Sequence, residues 1–155
     1  MLRRVLGVVA LVALAFASSA DLTAQNNNPR FGRWKLKSDA PAPASNIMTY
    51  ESFGAKGMKV TVESVNAKGE KNTWWYTTDF DGKDMPVTGQ ENSTSAVRMI
   101  TDKINEIVNK RNGRVRQTLI NVLSPDNNSI GVMYMNDDGT GKITNVTVAT
   151  YERIK

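Results

Sequence analysis

Short runs rich in Val, Ile, Thr, Tyr and Trp alternate along the chain with turn signals built from Gly, Asn, Asp and Pro. Gly and Asn tolerate the positive φ that hairpin turns need, and β-branched or aromatic runs suit a pleated, half-buried surface. The regular spacing predicts successive antiparallel hairpins, and so an all-β meander that closes into a barrel or splits into a sandwich. The turn signals are Gly54-Ala55-Lys56-Gly57, Asn66-Ala67-Lys68-Gly69, Asp81-Gly82-Lys83, Asn112-Gly113, Pro125-Asp126-Asn127-Asn128 and Asp138-Gly139-Thr140-Gly141.

The runs between these signals predict the strands. One segment, Arg98 to Lys110, is open to a second interpretation, because Met99, Ile104 and Val108 fall at helix-compatible spacing. Thr101-Asp102-Lys103 equally suits a turn between two strands, and the β pattern on both sides favours two strands. The predicted strands are 31–36, 45–53, 58–66, 71–80, 94–101, 104–111, 114–124, 129–135 and 142–153, with 84–87 as a short edge piece.

The faces of these strands bear on the choice between barrel and sandwich. Met58, Val60 and Val62 share one face with polar residues opposite, which is the half-buried pattern. In 114–124, however, Leu119 shares its face with Gln117 and Asn121. Polar residues on an inward face suit a barrel whose interior holds water or a ligand. The pattern therefore favours an up-and-down barrel of about 8–10 strands.

The first residues have the character of an export signal. Arg3 and Arg4 precede an apolar run from Val5 to Phe16, and small residues follow up to Ala20. The run of about twelve residues is too short for a bilayer's hydrocarbon core, which needs roughly 20. We predict a cleaved signal peptide at 1–20, a disordered lead-in at 21–30 and a barrel domain at 31–155. The mature protein is then periplasmic or extracellular, without stable membrane insertion after signal cleavage.

Charge and composition exclude several function classes. Removal of Arg3 and Arg4 lowers the formal charge from +5 to +3, too small an excess to argue for nucleic acid as a partner. The chain contains no His and no Cys, so it can have no Ser-His-Asp or Cys-His triad and no His- or Cys-ligated zinc. An enzyme would have to use carboxylates such as Glu51, Glu63 and Asp79, which no motif pairs. We expect a monomeric non-enzyme without cofactor or metal.

The opening Gly32-Arg33-Trp34 matches the Gly-x-Trp of the first lipocalin strand, where the Trp closes one end of the barrel. The whole mature chain resembles a family of small exported bacterial proteins of unknown function with a lipocalin-like, calycin-type barrel. That resemblance implies the fold and an export route, with no established activity. The shared motifs are Gly32-Arg33-Trp34-Lys35-Leu36, Ala40-Pro41-Ala42-Pro43, Thr49-Tyr50-Glu51, Lys59-Val60-Thr61-Val62-Glu63, Asp81-Gly82-Lys83, Pro86-Val87-Thr88-Gly89, Asn145-Val146-Thr147-Val148 and Tyr151-Glu152-Arg153.

Candidate ligand contacts follow from this barrel. Trp74 and Tyr76 share a strand face with Trp75 opposite, so Trp74 and Tyr76 can line an interior with Val60 and Val62. Arg116, or Tyr151 with Arg153, would meet an anionic headgroup. Tyr151-Glu152-Arg153 resembles, in reversed order, the Arg-x-Tyr pair that holds carboxylates in intracellular fatty-acid-binding barrels, whose helical lid after the first strand is missing here. Trp34 is the predicted barrel-closing residue.

Two polar segments have weaker functional interpretations. Asn136 to Ile143 looks like a calcium loop, but Thr147 stands where the bidentate Glu belongs, so a glycine hairpin is favoured. The hairpin Lys110 to Arg116 concentrates positive charge, either as a contact for anionic lipid or polysaccharide or as a solvated tip.

Two functions remain. The first is an exported, soluble barrel that binds a small amphiphilic or hydrophobic ligand. The second is a ligand-free structural or interaction module of the cell envelope, which would use the outward Trp75 and the basic hairpin as its contact surface. A large interior cavity would favour the first and a filled interior the second.

Overall fold

The structure, a computed structural model, describes residues 28–155. The predicted signal peptide at 1–20 and most of the predicted lead-in lie outside these residues. In the described range, no helix is long and apolar enough to cross a membrane. The strands are β1 (Gly32–Leu36), β2 (Ser45–Phe53), β3 (Gly57–Val65), β4 (Lys71–Thr78), β5 (Asp81–Pro86), β6 (Ser93–Thr101), β7 (Ile104–Arg111), β8 (Arg114–Leu123), β9 (Ser129–Asp137) and β10 (Ile143–Ile154).

The strands form one antiparallel sheet in the order β4-β3-β2-β1-β10-β9-β8-β7-β6-β5. The first and last strands pair with each other, with Trp34 opposite Arg153. The sheet edges are β4 and β5, and the segment that follows β5 forms a bridge to β4 in which Trp75 and Thr88 exchange backbone hydrogen bonds of 3.0 and 2.9 Å. The result is a nearly closed up-and-down barrel, and the predicted fold class is confirmed.

The turn residues explain why the chain reverses where it does. At the β7–β8 hairpin Asn112 and Gly113 have φ values of 51° and 73°, the positive pair that a tight two-residue turn of type I′ requires. The segment Arg98 to Lys110, which the sequence left open, forms β6 and β7 as two antiparallel strands. β4 ends at Thr78, before Phe80 adopts a φ of 60°.

One end of the barrel is closed by side chains. Trp34, Leu123 and Ile130 are at most 1% exposed there. The Trp34 indole N–H donates to the Arg30 carbonyl at 2.9 Å, and the Arg153 guanidinium lies 4.1 Å from the centre of the Trp34 ring. We call this the closed end. The opposite end, which carries the β7–β8 hairpin and the loop between β5 and β6, is the mouth.

The segment immediately before β1 forms a hydrogen-bonded turn. The sequence predicts a disordered lead-in as far as Arg30, yet Asn28 to Arg30 form a turn in which the Phe31 amide donates to the Asn28 carbonyl at 3.0 Å. Arg30 itself is 2% exposed. Its guanidinium donates to the Asn121 side-chain oxygen and, at 2.7 Å, to the Lys103 carbonyl. These buried hydrogen bonds fix the turn against β8 and the β6–β7 turn.

Candidate functional site

The barrel encloses an interior cavity of about 190 Å³ between the closed end and the mouth. This volume lies below the roughly 300–1,000 Å³ of drug-sized ligand pockets. It exceeds an engineered apolar cavity of about 150 Å³ that binds benzene. The cavity therefore accommodates a single ring or a short chain. Its lining residues are Asn46, Met48, Tyr50, Val60, Val62, Trp74, Tyr76, Ile107, Asn109, Gln117, Leu119, Asn121, Val132, Tyr134 and Tyr151.

The apolar wall lies on β3 and β4, as the alternation of these strands predicts. Val60 is opposite Tyr76 and Val62 is opposite Trp74 in the register. The Trp74 and Tyr76 rings stack with centroids 6.2 Å apart and planes 12° apart. Trp75 points outward, is 37% exposed and lies beneath the Lys59 ammonium, 4.8 Å from the ring centre. The structure thus places Trp74 inside and Trp75 outside.

All four tyrosines of the chain line the cavity. The Tyr134 and Tyr151 hydroxyls are 3.2 Å apart, within hydrogen-bond distance. Burial raises the pKa of Tyr50 to about 12, and it also raises the pKa values of Tyr76, Tyr134 and Tyr151. The phenols therefore stay neutral at physiological pH and offer O–H donors and acceptors to an occupant.

A row of side-chain hydrogen bonds crosses four strands on the mouth side of the cavity. The Ser95 hydroxyl donates to Asn109 at 2.7 Å, and Asn109 donates to Gln117 at 3.2 Å. Gln117 then donates to Asn136 at 2.8 Å. We call these four residues the amide row. It shows why β8 carries Gln117 on its inward face: this side chain bonds to polar side chains of the two neighbouring strands.

The floor of the cavity is linked to the buried Arg30. Asn121 lines the cavity and donates from its amide to the Tyr50 hydroxyl at 3.3 Å, while its oxygen accepts from Arg30. Sequence reasoning missed Arg30, because its neighbours are polar and lack periodicity. The one available signal was its position next to the Gly-x-Trp motif.

Two predicted anion contacts lie outside the cavity. The Arg153 side chain donates to the Asn127 and Phe31 carbonyls at 2.9 and 2.8 Å, so it belongs to the closed end. Tyr151 lines the cavity and bonds to Tyr134 instead. The structure therefore does not bring Tyr151 and Arg153 together in the cavity. Arg116 lies at the mouth, where its guanidinium donates to the Asp138 carbonyl at 2.9 Å.

The segment that looks like a calcium loop is the β9–β10 hairpin. The Asp137 carboxylate accepts the amides of Gly139 and Gly141 at 2.6 and 3.1 Å, so backbone N–H groups occupy it. Within residues 28–155, no group of three or more acidic side chains is placed to hold a metal ion. Glu51, Glu63 and Asp79 are exposed on the outside of the barrel. The structure does not bring them together with the cavity.

These features define a ten-stranded barrel of the calycin type, closed at one end and with a cavity inside. Among solved structures, a Schistosoma mansoni fatty acid binding protein in complex with arachidonic acid matches with a TM-score of 0.57 and 14% identity, over 82% of this chain and 97% of that chain. The wild-type fluorescent protein UnaG matches with a TM-score of 0.54 and 15% identity, over 80% and 96%. No family model and no curated protein matches the sequence. At these identities the likeness concerns the fold.

Proposed function

We propose that this protein binds a small hydrophobic or amphiphilic molecule inside the barrel. The main observation behind the proposal is the interior cavity. Its apolar wall consists of Val60, Val62, Trp74 and Tyr76, and the amide row crosses it on the mouth side. Apolar walls with a few convergent polar groups are typical of small-molecule sites. The fold likeness to a barrel that was solved with arachidonic acid supports the same function.

The size of the cavity limits the occupant. About 190 Å³ suits a ring or a short chain, so a longer ligand would extend into the mouth. In the described part of the chain, the cavity lining contains no carboxylate and no Lys or Arg, so it offers neither an ionised acid nor a cation for chemistry on the occupant. Binding, and not catalysis, is the function this interior supports.

The inside and outside positions of two adjacent tryptophans supply the test. We expect Trp74→Ala to weaken binding of a fluorescent fatty-acid analogue about fivefold to tenfold, because an aromatic wall contact contributes about 1 kcal/mol or more. Trp75→Ala is the matched control and should change the affinity less than twofold. Equal losses would contradict the assignment of the interior, and an absence of saturable binding to either protein would contradict the proposed function.

We further propose that the protein acts outside the cytoplasm, as the Arg3-Arg4 region, the apolar run after it and the small residues before Asp21 indicate. Fractionation of host cells, with N-terminal sequencing of the purified protein, tests this. A mature chain that begins at Asp21 would support export, whereas an intact N-terminus on a cytosolic protein would contradict it.

A further inference from the structure

Among residues 28–155, the side chains that line the barrel interior offer no charge to an ionised ligand. Tyrosines, amides and apolar side chains line the cavity, and no Asp, Glu, Lys or Arg is among its lining residues. The nearest buried cation, Arg30, lies behind Asn121 and is already bound to the Asn121 side chain and the Lys103 carbonyl. An ionised group placed inside would lose its hydration without gaining a partner, which is strongly unfavourable.

The mouth has the opposite character. A second cavity, of about 540 Å³, lies there and is lined by Lys110, Arg111 and Arg116 among others. Asn109 and Gln117 border this cavity and the interior one, so the two share an edge. An amphiphile can therefore place its apolar part among the aromatic walls and its polar part in the mouth.

The cations of the mouth are incompletely neutralised. Lys110 pairs with Asp84 at 2.7 Å, but within residues 28–155 neither Arg111 nor Arg116 has a carboxylate within 4.0 Å. Arg116 donates to the Asp138 backbone carbonyl, and the Asp138 carboxylate compensates its charge from beyond ion-pair distance. Glu91 is the one acidic residue among those that line the mouth cavity in the described structure. The mouth thus presents a net positive charge above an uncharged interior.

The amide row lies at the boundary between the two cavities. Asn109 and Gln117 each use one side-chain N–H within the row, and a side-chain amide has two. The second N–H of each residue remains for an oxygen of a bound headgroup. A carboxylate or sulfate at this level would gain two neutral donors from the row and a cationic one from the adjacent arginines.

We propose that the ligand is a short single-chain or single-ring amphiphile with one anionic group, bound tail-first, so that the anion stays at the mouth between the amide row and Arg111 and Arg116. This rests on the proposed function, since the tail occupies the interior cavity. It also limits size: a short tail fills the cavity, and each further methylene remains in water.

The test compares octanoate, octanol and octylammonium by calorimetric titration of residues 21–155, the chain expected after signal cleavage. We expect octanoate to bind at least tenfold more tightly than octylammonium, and added salt to weaken octanoate more than octanol. In Arg116→Gln the ratio of octanoate to octanol affinity should fall about threefold, as expected for a solvent-exposed ion pair. Arg33→Gln, which removes the same charge from an exposed site on β1, is the control and should leave the ratio unchanged.

The results distinguish an error in the headgroup site from an error in the proposed binding function. If octanol binds but octanoate gains nothing over octylammonium, or if Arg33→Gln lowers the ratio as much as Arg116→Gln, the headgroup site is wrong and the barrel remains a binding protein. Binding to phosphatidylglycerol vesicles with no affinity for octanoate would also overturn it, in favour of a lipid surface. If none of the three compounds binds and no fluorescent probe binds, the proposed function itself fails.

Discussion

Among the charged residues of the described chain, Arg30 is the most deeply buried. It is 2% exposed and has no carboxylate partner among the described residues, and burial lowers its pKa from the ordinary 12.5. Its guanidinium donates to the Asn121 side chain and to the Lys103 and Asn121 carbonyls, and the Asp102 carboxylate favours its charged form from beyond ion-pair distance. Because its backbone carbonyl also accepts the Trp34 indole N–H, one residue connects the turn before β1, the β6–β7 turn and β8.

We expect Arg30→Leu to lower the free energy of unfolding by about 2–3 kcal/mol, since buried hydrogen bonds to a charged group are lost and their acceptors are left unpaired. Arg33→Leu removes the same charge from an exposed position of β1 and should change stability by no more than about 0.5 kcal/mol. Urea denaturation of both variants measures the difference. A stability loss in Arg30→Leu no larger than that in Arg33→Leu would show that the guanidinium is dispensable.

The sequence predicts which side chains face the interior only where apolar and polar residues alternate regularly. Val60, Val62, Trp74 and Tyr76 reach the interior as predicted, because in a strand the side-chain direction follows from the spacing alone. Arg153 does not, although it shares a strand face with Tyr151. Arg153 lies over the Trp34 ring at the closed end, and a strand face carries no information on how deep a residue lies along the barrel.

Among the elements, the junction of β4 and β5 is the weakest part of the barrel wall. These two strands are the sheet edges, and the Trp75–Thr88 bridge joins β4 to the loop that follows β5. The loop turns immediately after Thr88 at Gly89, which has a φ of 88°. A Cβ at Gly89 would lie 2.5 Å from the Thr73 carbonyl oxygen, so the backbone of the loop can approach β4 only without a side chain there.

Gly89→Ala should therefore open this junction. We expect faster hydrogen exchange at the Trp75 and Thr88 amides and a stability loss of more than 2 kcal/mol, from the left-handed conformation together with the backbone clash. Gly113→Ala is the matched control: its φ is 73°, but nothing lies within 4 Å of the added Cβ, so only the conformational cost of about 1–2 kcal/mol applies. Equal effects of the two substitutions would contradict the clash.

Most strands could be predicted, because Gly and Asn at the turns fix where a hairpin reverses. Asn112-Gly113 is the clearest case, with both residues in the left-handed region. The segment Arg98 to Lys110 has helix-compatible spacing but forms two strands, because Thr101, Asp102 and Lys103 reverse the chain between them. The bridge from β4 to the loop after β5 could not be predicted, because it depends on the close backbone approach at Gly89 and not on side-chain alternation.

For the molecule as a whole, the ionisable groups determine where stability depends on pH. The chain has no His, the side chain whose ordinary pKa lies between pH 5 and 8, so we expect little change in stability around neutrality. All four tyrosines, by contrast, line the interior, and the folded barrel raises the pKa of each above the ordinary 10.0. The barrel thus holds these four protons more tightly than the unfolded chain does.

Raised tyrosine pKa values make the folded barrel less stable as the pH rises above 10. Below pH 10 the tyrosines are protonated in both states and contribute their full stability. Above it the unfolded chain loses its phenolic protons first, so each tyrosine lowers the free energy of unfolding by about 1.4 kcal/mol per pH unit until the folded pKa is passed, near 12 for Tyr50. Within this pH window, the combined loss from several tyrosines can equal the free energy of unfolding of a typical domain, which is roughly 5–15 kcal/mol.

We therefore expect alkaline unfolding to be cooperative, with the ultraviolet absorbance of tyrosinate rising together with the loss of β-sheet circular dichroism, above pH 10. Titration of all four tyrosines near pH 10 in a barrel that keeps its circular dichroism would contradict the buried, neutral phenols.

An occupant that fills the cavity also changes the pH of this transition. It binds only the folded barrel, so saturating octanoate should move the coupled transition to higher pH, and a weaker shift in Trp74→Ala than in Trp75→Ala would place octanoate and the tyrosines in the same interior.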